Sequence, residues 1–370
     1  MLIGVPREIK SEEYRVGLTP ESVKSLVSHG HRVLVETGAG LGIGAGDADY
    51  AAAGATVAAT ASSIWATADL IVKVKEPQPG ERRQLRAGQV LFTYLHLASD
   101  AAQAQDLADS GATCIAYETV TDVQGRLPLL APMSEVAGRM SIQVGAHFLE
   151  ATQGGRGVLL AGATGVDPAK VVVLGAGVSG SNAAQVAVAM GAEVTVLDRS
   201  AAALARLDAL TGGTVRGVPA DADAIARHAV QADLVVGAVL VPGDAAPRLI
   251  DRNLLGRMQR GAVIVDIAID QGGCCETSRP TTHRAPTFVV DGIVHYCVAN
   301  MPGAVPRTAS EALGNATLPY VLKLADQGLE ALRGDRHLAR GLNVLNGEIT
   351  HPAVASALGR TSSDPFAAWD

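Results

Sequence analysis

Three side chains in the first third of the chain have the chemistry to bind and protonate a small anionic carbonyl compound. Lys75 and His96 each follow a short apolar run, and Arg15 lies in the loop after an earlier one. A guanidinium can hold a carboxylate through two hydrogen bonds, and an ammonium group can stabilise negative charge that develops on a carbonyl oxygen. Because imidazole titrates near neutral pH, His96 can move the proton. Asp270, which follows a later apolar run, could hold ammonium or orient a water molecule, and together the four residues predict a site for a 2-oxo acid.

Each of these residues also has an ordinary structural interpretation. Arg15 stands close to Glu12 and Glu13, and an arginine in a charged loop is usually a solvated surface residue. A lysine at a strand end commonly faces solvent, and a histidine there is often only a hydrogen-bonded loop residue. The functional interpretation is favoured because open parallel sheets bind ligands beyond the carboxyl ends of their strands, where Lys75 and His96 are predicted to lie.

A glycine-rich motif in the middle of the chain predicts a dinucleotide site. The apolar run Val171–Leu174 is followed by Gly175, Gly177 and Gly180 and then by a helical pattern. In such motifs the first glycine permits a tight turn, the second lets a pyrophosphate approach the backbone, and the third brings helix and strand together. The phosphates then lie at the N-terminus of a helix. Asp198 ends the next apolar run, 23 residues after Gly175, at about the distance expected of the acid that binds the ribose.

The same acid sets the expected cofactor. A carboxylate at position 198 would repel the 2′-phosphate of NADP, so Asp198 favours NAD, although Arg199 beside it could accommodate that phosphate. A second glycine-rich stretch, Gly38–Gly44, does not match the spacing of the motif, and we interpret it as a flexible loop.

Short apolar runs alternate with helical patterns along most of the chain, which predicts βαβ units on parallel sheets. A long helical segment, Ser134–Thr152, has no strand partner, and Ser134 is its expected N-cap. A capping box at Thr308–Glu311 predicts the start of another long helix, and the tail after it is expected to be helical. The predicted strands are Leu2–Val5, Val33–Val35, Leu70–Val74, Val90–Leu95, Cys114–Tyr117, Val171–Leu174, Val194–Leu197, Leu234–Val239, Val263–Ile267, Thr287–Val290 and Ile293–Cys297.

Composition excludes several classes of protein. A chain of 370 residues, 48% hydrophobic and 18% charged, is expected to form two domains with ample cores. A net charge of −7 without a basic cluster argues against nucleic-acid binding. Four cysteines are too few for a disulfide framework. The absence of an apolar leader and of a run of about 20 apolar residues predicts a cytoplasmic protein with no membrane partner.

Several segments of the sequence resemble the alanine dehydrogenases of the alanine dehydrogenase/pyridine nucleotide transhydrogenase family. They span nearly the whole chain: Gly4–Lys10, Arg15–Pro20, Lys73–Pro77, Phe92–His96, Pro132–Arg139, Val265–Gly273, Ser278–Thr282 and Cys297–Pro302. The resemblance implies an α/β fold of two doubly wound Rossmann-like domains with a cleft between them. One domain, 1–130 plus 305–370, would be catalytic, and the other, 131–304, would bind NAD. The implied reaction is the reversible oxidative deamination of L-alanine to pyruvate and ammonium by a homohexamer.

The resemblance also assigns roles to residues. Arg15 and Lys75 would bind substrate, and His96 and Asp270 would be the catalytic pair. Beyond the three glycines, the cofactor would contact Ser134, Val178, Ser179, Asp198, Val239, Leu240, Ile267, Asp270, Arg279, Val298, Asn300 and Met301.

The sequence departs from the family pattern at a few positions. Ala203 stands where relatives can carry a lysine near the ribose acid, and Ala220 stands in place of a serine on the cofactor side. Lys323 and Gln327 stand where some relatives place the acid and histidine of a magnesium site, so we expect no metal. Three alternatives stay open: the NAD-binding component of a proton-translocating transhydrogenase, a saccharopine dehydrogenase that forms lysine, and a catalytically silent NAD-binding protein.

Overall fold

The computed structural model describes residues 1–239 and 246–364 and divides them into two compact units. Unit 1 contains Met1–Met133 and the segment that begins at Val305, and unit 2 contains Ser134–Ala304. Each unit has its own sheet and its own helices. Both are α/β, as the sequence predicts.

The sheet of unit 1 is parallel over most of its width. Its strands are β1 (Leu2–Val5), β2 (Arg32–Glu36), β3 (Thr56–Ala58), β4 (Leu70–Val72), β5 (Val90–Thr93), β6 (Thr113–Ala116), β14 (Leu342–Leu345) and β15 (Glu348–Ile349). They lie side by side in the order β15-β14-β6-β5-β4-β1-β2-β3. Strands β4, β5 and β6 are buried at every residue, as expected of parallel strands covered on both faces.

Several helices of unit 1 begin at a side chain that accepts a hydrogen bond from the first turn. Thr19 caps α1 through Ser22 N, and Asp100 caps α5 through Gln103 N. The helices are α1 (Pro20–Ser28), α2 (Asp47–Ala52), α3 (Ala61–Thr67), α4 (Pro79–Arg82), α5 (Ala101–Asp109), α11 (Pro306–Gln327), α12 (Glu330–Gly334), α13 (Arg336–Ala339) and α14 (Pro352–Ala357).

The sheet of unit 2 is also mainly parallel. Its strands are β7 (Lys170–Leu174), β8 (Glu193–Asp198), β9 (Arg216–Pro219), β10 (Leu234–Gly237), β11 (Val263–Asp266), β12 (Thr287–Val290) and β13 (Ile293–Tyr296), in the order β12-β13-β11-β10-β7-β8-β9. The helices are α6 (Ala131–Phe148), whose first residues belong to unit 1, α7 (Val178–Ala189), α8 (Ala201–Thr211), α9 (Ala222–Ala229) and α10 (Arg252–Leu255). The order of the strands reverses beside β7, because the connection after β8 and β9 returns to β10 on the other side. Such a switch point is where open α/β sheets bind ligands.

The structure corrects the sequence prediction at the tail. The segment expected to be helical contains β14 and β15, which pair antiparallel with each other, and β14 also pairs antiparallel with β6. The turn between β14 and β15 is Asn346-Gly347, with positive φ at both residues. This dipeptide is the strongest short-range hairpin signal a sequence can carry, so the sequence itself contains a signal for this turn.

Other corrections concern element ends. Helix α6 begins at Ala131, so Ser134 lies in its first turn and is not its N-cap. Helix α11 begins at Pro306, with proline in the first turn, so the capping box at Thr308–Glu311 is wrong. The short strands β3 and β9 were missed because each is only partly buried and has too few residues for a clear pattern.

Candidate functional site

The reactive residues of unit 1 follow four strands that are neighbours in one sheet. Strands β6, β5, β4 and β1 pair in parallel, so their carboxyl ends lie along one edge. Arg15 follows β1, Lys75 follows β4 and His96 follows β5. The neighbouring strand β6 is followed by Glu118, which the sequence did not single out. The edge therefore gathers two cations, an imidazole and a carboxylate.

Arg15 is buried, contrary to its surface interpretation, with 2% of its area exposed. Its Nε and Nη2 donate to the two carboxylate oxygens of Glu13 at 2.6 and 2.5 Å. Its Nη1 lies 3.0 Å from the sulfur of Met133. A guanidinium held at one edge by a carboxylate keeps a fixed plane, which is what recognition of a second, external carboxylate requires.

Two glycines let the Arg15 loop run close to the sheet. A Cβ added to Gly17 would lie 2.5 Å from the carbonyl oxygen of Val72 on β4, and one added to Gly42 would lie 2.1 Å from that of Tyr14. Neither backbone can retreat without moving the loop, so only glycine fits. Gly42 belongs to the stretch interpreted as a flexible loop, which instead forms a 3₁₀ turn at Leu41–Ile43.

The segment that carries Lys75 is joined to the loop after β1 by buried ion pairs. Lys73 Nζ lies 3.0 Å from Glu8 and 2.9 Å from Glu81, and none of the Lys73 surface is exposed. Glu8 also accepts a hydrogen bond from Val74 N at 2.7 Å. The carbonyl oxygen of Lys75 accepts from Thr93 Oγ1 at 3.0 Å. The Lys75 backbone is thus fixed by the neighbouring segments, while its side chain is only half-buried.

His96 has an exposed side chain on an unusual backbone. Its φ and ψ are 52° and 36°, the left-handed region that residues with a Cβ rarely adopt. Its ring stacks near that of Tyr94, with centroids 5.9 Å apart. Backbone strain of this kind clusters at functional sites, where the surrounding structure holds it in place.

In unit 2 the backbone requires glycine at two of the three motif positions, and the third glycine borders open space. Gly175 has a φ of 104°, and a Cβ there would lie 2.7 Å from the carbonyl oxygen of Ala238. A Cβ on Gly180 would lie 1.8 Å from the carbonyl oxygen of Gly175. At Gly177 an added Cβ would meet nothing within 4 Å, so the protein leaves open space beside that residue. Helix α7 begins next to this space, which suits a phosphate group.

The acid predicted to bind the ribose also orders the glycine loop. Asp198 accepts hydrogen bonds from Ala176 N at 2.6 Å and from Ser200 N at 2.7 Å. Helix α6 packs closely on the start of α7, since a Cβ on Gly138 would lie 2.1 Å from the carbonyl oxygen of Ser179. Ser134, one turn earlier on α6, is half-buried. The predicted cofactor residues Ser134, Ser179 and Asp198 therefore belong to, or lie close in sequence to, the region where the glycine loop, the end of β8 and helices α6 and α7 pack together.

The other predicted cofactor residues follow three further strands of unit 2. Val239 follows β10, Ile267 and Asp270 lie in the 3₁₀ segment after β11, and Val298 follows β13. Leu240 lies outside the described residues. Asp270 is exposed and Val298 is buried. The carboxyl ends of β10, β11 and β13 share one edge with that of β7.

The last four predicted cofactor residues lie in loops or at a helix start around that edge. Val178, at the start of α7, is 45% exposed. Met301 is buried, and Asn300 before it is half-buried and accepts a hydrogen bond at its carbonyl from the ring of His283. Arg279 places its guanidinium 4.3 Å from the centre of the Phe288 ring, a cation–π contact that orients an otherwise exposed side chain.

Family models match both halves of the chain. The model described as alanine dehydrogenase/PNT, N-terminal domain, matches residues 4–137, and the model of the C-terminal domain of the same family matches residues 141–352. The chain belongs to this family. The alanine dehydrogenase of Halomonas elongata is 58% identical over 97% of both chains. A solved L-alanine dehydrogenase superposes with a TM-score of 0.94 at 52% identity, covering 97% of this chain and 99% of the other. A transhydrogenase from Sinorhizobium meliloti superposes with a TM-score of 0.81 at 28% identity, covering 95% and 100%.

The positions that depart from the family pattern have clear surroundings. Ala203 is buried in the first turn of α8, where its N–H is capped by Ser200, and Ala220 is half-buried after β9. Lys323 donates to Asp335 at 2.7 Å, and Gln327 is exposed at the end of α11. Among residues 1–239 and 246–364 no group of three metal-binding side chains forms a cluster, and no helix has both the length and the apolarity to cross a bilayer.

Sequence reasoning missed the acids that hold the reactive residues of this family member in place. Glu13 binds Arg15, Glu8 and Glu81 bind Lys73, and Glu118 binds the backbone at His96. The only local signal is that Glu13 lies two residues from Arg15. The other partners are separated in sequence and meet only because their strands are neighbours.

Proposed function

We propose that the chain is an NAD-dependent L-alanine dehydrogenase that interconverts L-alanine with pyruvate and ammonium. The observation that carries the proposal is the placement of Arg15, Lys75 and His96 at the carboxyl ends of three adjacent strands. The full-length similarity to alanine dehydrogenases selects the substrate, since one such relative is 58% identical and the transhydrogenase structure only 28%.

In this proposal unit 2 binds NAD. The open space beside Gly177, the start of α7 and the carboxylate of Asp198 fit the pyrophosphate and one ribose of a dinucleotide. When bound there, NAD would supply the acceptor for the hydride of the substrate carbon, and NADH would supply the hydride for the reverse direction. Asp198 favours NAD over NADP because a second anion would approach a carboxylate whose oxygens already face the loop.

Unit 1 binds the substrate. The guanidinium of Arg15, fixed in its plane by Glu13, receives the substrate carboxylate. The ammonium group of Lys75 binds the carbonyl oxygen and stabilises the charge that develops on it. His96 transfers protons at that oxygen, and Asp270 holds the ammonium or orients the water that attacks the imine carbon. The reaction in the oxidative direction consumes one water and yields pyruvate, ammonium and a proton.

We also infer that the protein acts in the cytoplasm as a homohexamer. The hexamer is what the resemblance to alanine dehydrogenases implies, and the cytoplasmic location is supported by cysteines that are free thiols and form no disulfide framework. Native mass spectrometry of the full chain would give a mass six times that of the protomer, and a monomeric mass would contradict the proposal.

The test of the main proposal is a coupled set of assays. The protein is incubated with pyruvate, ammonium and NADH, and nicotinamide absorbance is followed. Loss of NADH that requires all three components is expected, and parallel assays with larger 2-oxo acids and with NADPH test the choice of substrate and cofactor. No turnover by the folded protein would favour a transhydrogenase component or a silent NAD-binding protein.

A pair of histidine variants links the activity to the site. His96→Ala should lower turnover by about 10²- to 10⁴-fold and spare NADH binding, because it removes the acid–base group and leaves unit 2 untouched. His29→Ala is the matched control, since His29 is exposed beyond the end of α1 and its ring hydrogen-bonds to Ser25 and Ser28 of that helix. Equal turnover in the two variants would remove His96 from its role.

A further inference from the structure

We infer that Glu118 is a positioning residue that fixes the direction of the His96 imidazole. The inference rests on the proposed function, in which His96 transfers the proton. It starts from the backbone of His96, which is one of four non-glycine residues with positive φ in the part of the chain that the structure describes. An L residue stays in that conformation only when its neighbours hold it.

The carboxylate of Glu118 holds the backbone of His96 in this conformation through hydrogen bonds. Its Oε1 accepts from His96 N at 2.6 Å and from Leu95 N at 3.1 Å, and its Oε2 accepts from Leu95 N at 3.2 Å. Two successive N–H groups therefore point at one carboxylate, as they do in anion-binding turns of the backbone. Hydrogen bonds to an ionised acceptor are shorter and stronger than neutral ones, which suits the task of holding a strained residue.

The rest of the segment is fixed from its other side. The carbonyl oxygen of Leu95 accepts from Gln103 Nε2 at 2.6 Å, and that of His96 accepts from Ser99 Oγ at 3.0 Å. Tyr94 is buried, and its hydroxyl donates to the carbonyl oxygen of Leu129. Of these contacts, only those of Glu118 reach the N–H of His96 itself. The angle φ of residue 96 describes rotation between the peptide plane that carries this N–H and the Cα of His96. By holding the N–H, Glu118 fixes the orientation of that plane and so stabilises the positive φ of His96.

The consequence concerns the side chain and not only the loop. The direction of the Cα–Cβ bond follows from the backbone, so a change of His96 to negative φ would aim the imidazole elsewhere. The ring is exposed, and among residues 1–239 and 246–364 the aromatic ring that it stacks with is that of Tyr94. Glu118 follows β6 and His96 follows the neighbouring β5, so the sheet itself brings carboxylate and N–H together. Glu118 acts through His96 and is not assigned any contact with substrate.

The experiment compares three substitutions that separate the effect of side-chain length from the effect of charge. Glu118→Asp keeps the charge but withdraws the carboxylate by one methylene, whereas Glu118→Gln keeps an oxygen at the right distance without the charge. Glu118→Ala removes both. We expect kcat to fall by about 100-fold in the Ala and Asp variants, the effect of moving a catalytic group by about 1 Å. The Gln variant should recover most of the activity, and NADH affinity should be unchanged in all three.

A double substitution distinguishes positioning from general support of the fold. Adding Glu118→Ala to His96→Ala should change the residual rate by less than about threefold, because the group being positioned is already gone. Glu21→Ala, an exposed acid in the first turn of α1, is the matched control for removing a carboxylate from unit 1. Urea unfolding of each variant shows whether it is folded, and if Glu118→Ala is not, the Asp and Gln variants decide.

Three results would overturn the inference while leaving the proposed function intact. They are a folded Glu118→Asp enzyme with a kcat near that of the wild type, a Gln variant less active than the Asp variant, and an undiminished effect of Glu118→Ala in the His96→Ala background. If the wild type has no alanine dehydrogenase activity, the proposed function fails separately. The positioning is then judged from the NMR signals of the His96 ring, identified by their loss in His96→Ala. They should move in the Asp variant and stay in the Gln variant, and the reverse would refute the positioning.

Discussion

Replacing Lys73 with methionine should lower the free energy of unfolding of unit 1 by more than the removal of any surface charge would. The Lys73 ammonium is fully buried and lies 3.0 Å from Glu8 and 2.9 Å from Glu81. Burial alone would lower the pKa of Lys73, but the two carboxylates outweigh it and raise the pKa, so the group is charged at neutral pH. Methionine keeps the length of the side chain and removes the charge, which leaves two buried carboxylates without their cation.

The size of the effect follows from that imbalance. Breaking a buried ion pair by removing one partner costs about 3–5 kcal/mol, because the remaining charge is desolvated and uncompensated. Two carboxylates depend on Lys73, so we expect a loss near the upper end, about 5 kcal/mol, in the free energy of unfolding at neutral pH. Lys24→Met, at an exposed position of α1, should change it by less than about 0.5 kcal/mol.

The loss should also depend on pH. Burial already raises the pKa of Glu8 above its ordinary 4.5, and removing Lys73 takes away the charge that lowers it. A carboxyl whose pKa is higher in the folded state binds protons that the unfolded state has released, so stability falls as pH rises above the unfolded pKa. The deficit of the Lys73→Met variant is therefore full at neutral pH and shrinks as pH falls toward about 4.5.

Tryptophan fluorescence during urea unfolding measures the loss of stability of unit 1 and its dependence on pH. Trp65 is fully buried there, and a Trp369→Phe background makes it the only tryptophan of the chain. Combining Glu8→Gln and Glu81→Gln with Lys73→Met should restore part of the stability, because neutral amides need no counter-charge. A loss below about 1 kcal/mol, or one that is the same at all pH values, would refute the reasoning.

Three further predictions concern unit 2 and the thiols. Gly177→Ala should leave the unfolding midpoint unchanged and weaken NADH binding in a fluorescence titration, whereas Gly180→Ala should destabilise unit 2, since its Cβ would lie 1.8 Å from a carbonyl oxygen. Equal effects of the two variants would contradict the assignment of the open space to a phosphate. Burial raises the pKa of both Cys114 and Cys297 to about 12, so neither should react with a thiol reagent at neutral pH until urea unfolds the protein; fast labelling of the native state would count against this. Burial likewise raises the pKa of Asp266, so Asp266→Asn should flatten the decline of stability as pH rises above about 3.8, and an unaltered urea-midpoint profile across pH would argue against a raised pKa of this carboxyl.

The sequence predicts the elements best where a local pattern and burial agree. Strand β1 has the predicted ends to the residue, because Leu2–Val5 is a short apolar run whose last three residues are buried. Lys75 and His96 were expected just beyond two strands, and the structure places them there, although β4 and β5 end two residues earlier than predicted. These ends shift because the last residues turn to meet Glu8 and Glu118, which no local pattern contains.

The tail shows the opposite case. Apart from its hairpin partner β15, strand β14 joins strands that lie more than two hundred residues earlier, and its pairing with β6 is antiparallel. Nothing within the tail indicates that partner, and the alternation of helices and strands seen before it predicts parallel pairing only. The need for glycine at positions 17 and 42 cannot be predicted from the local sequence either, since each glycine is required by a carbonyl oxygen of another segment. Long-range contacts decide these features, and one sequence does not encode them in any window.

The candidate site differs from what the sequence predicts chiefly in the structural roles of its acidic residues. In the sequence, Glu8, Glu13 and Glu118 look like the solvated charges of an acidic protein. In the structure two of them are buried and the third is half-buried, and each binds the segment that carries a reactive residue. A cation on a solvent-exposed loop would need no such partner, because water would hydrate its charge. The acids are needed because Arg15 and Lys73 lie out of water and His96 lies in a strained conformation, so the same burial that makes the site selective also makes it depend on carboxylates that touch no substrate.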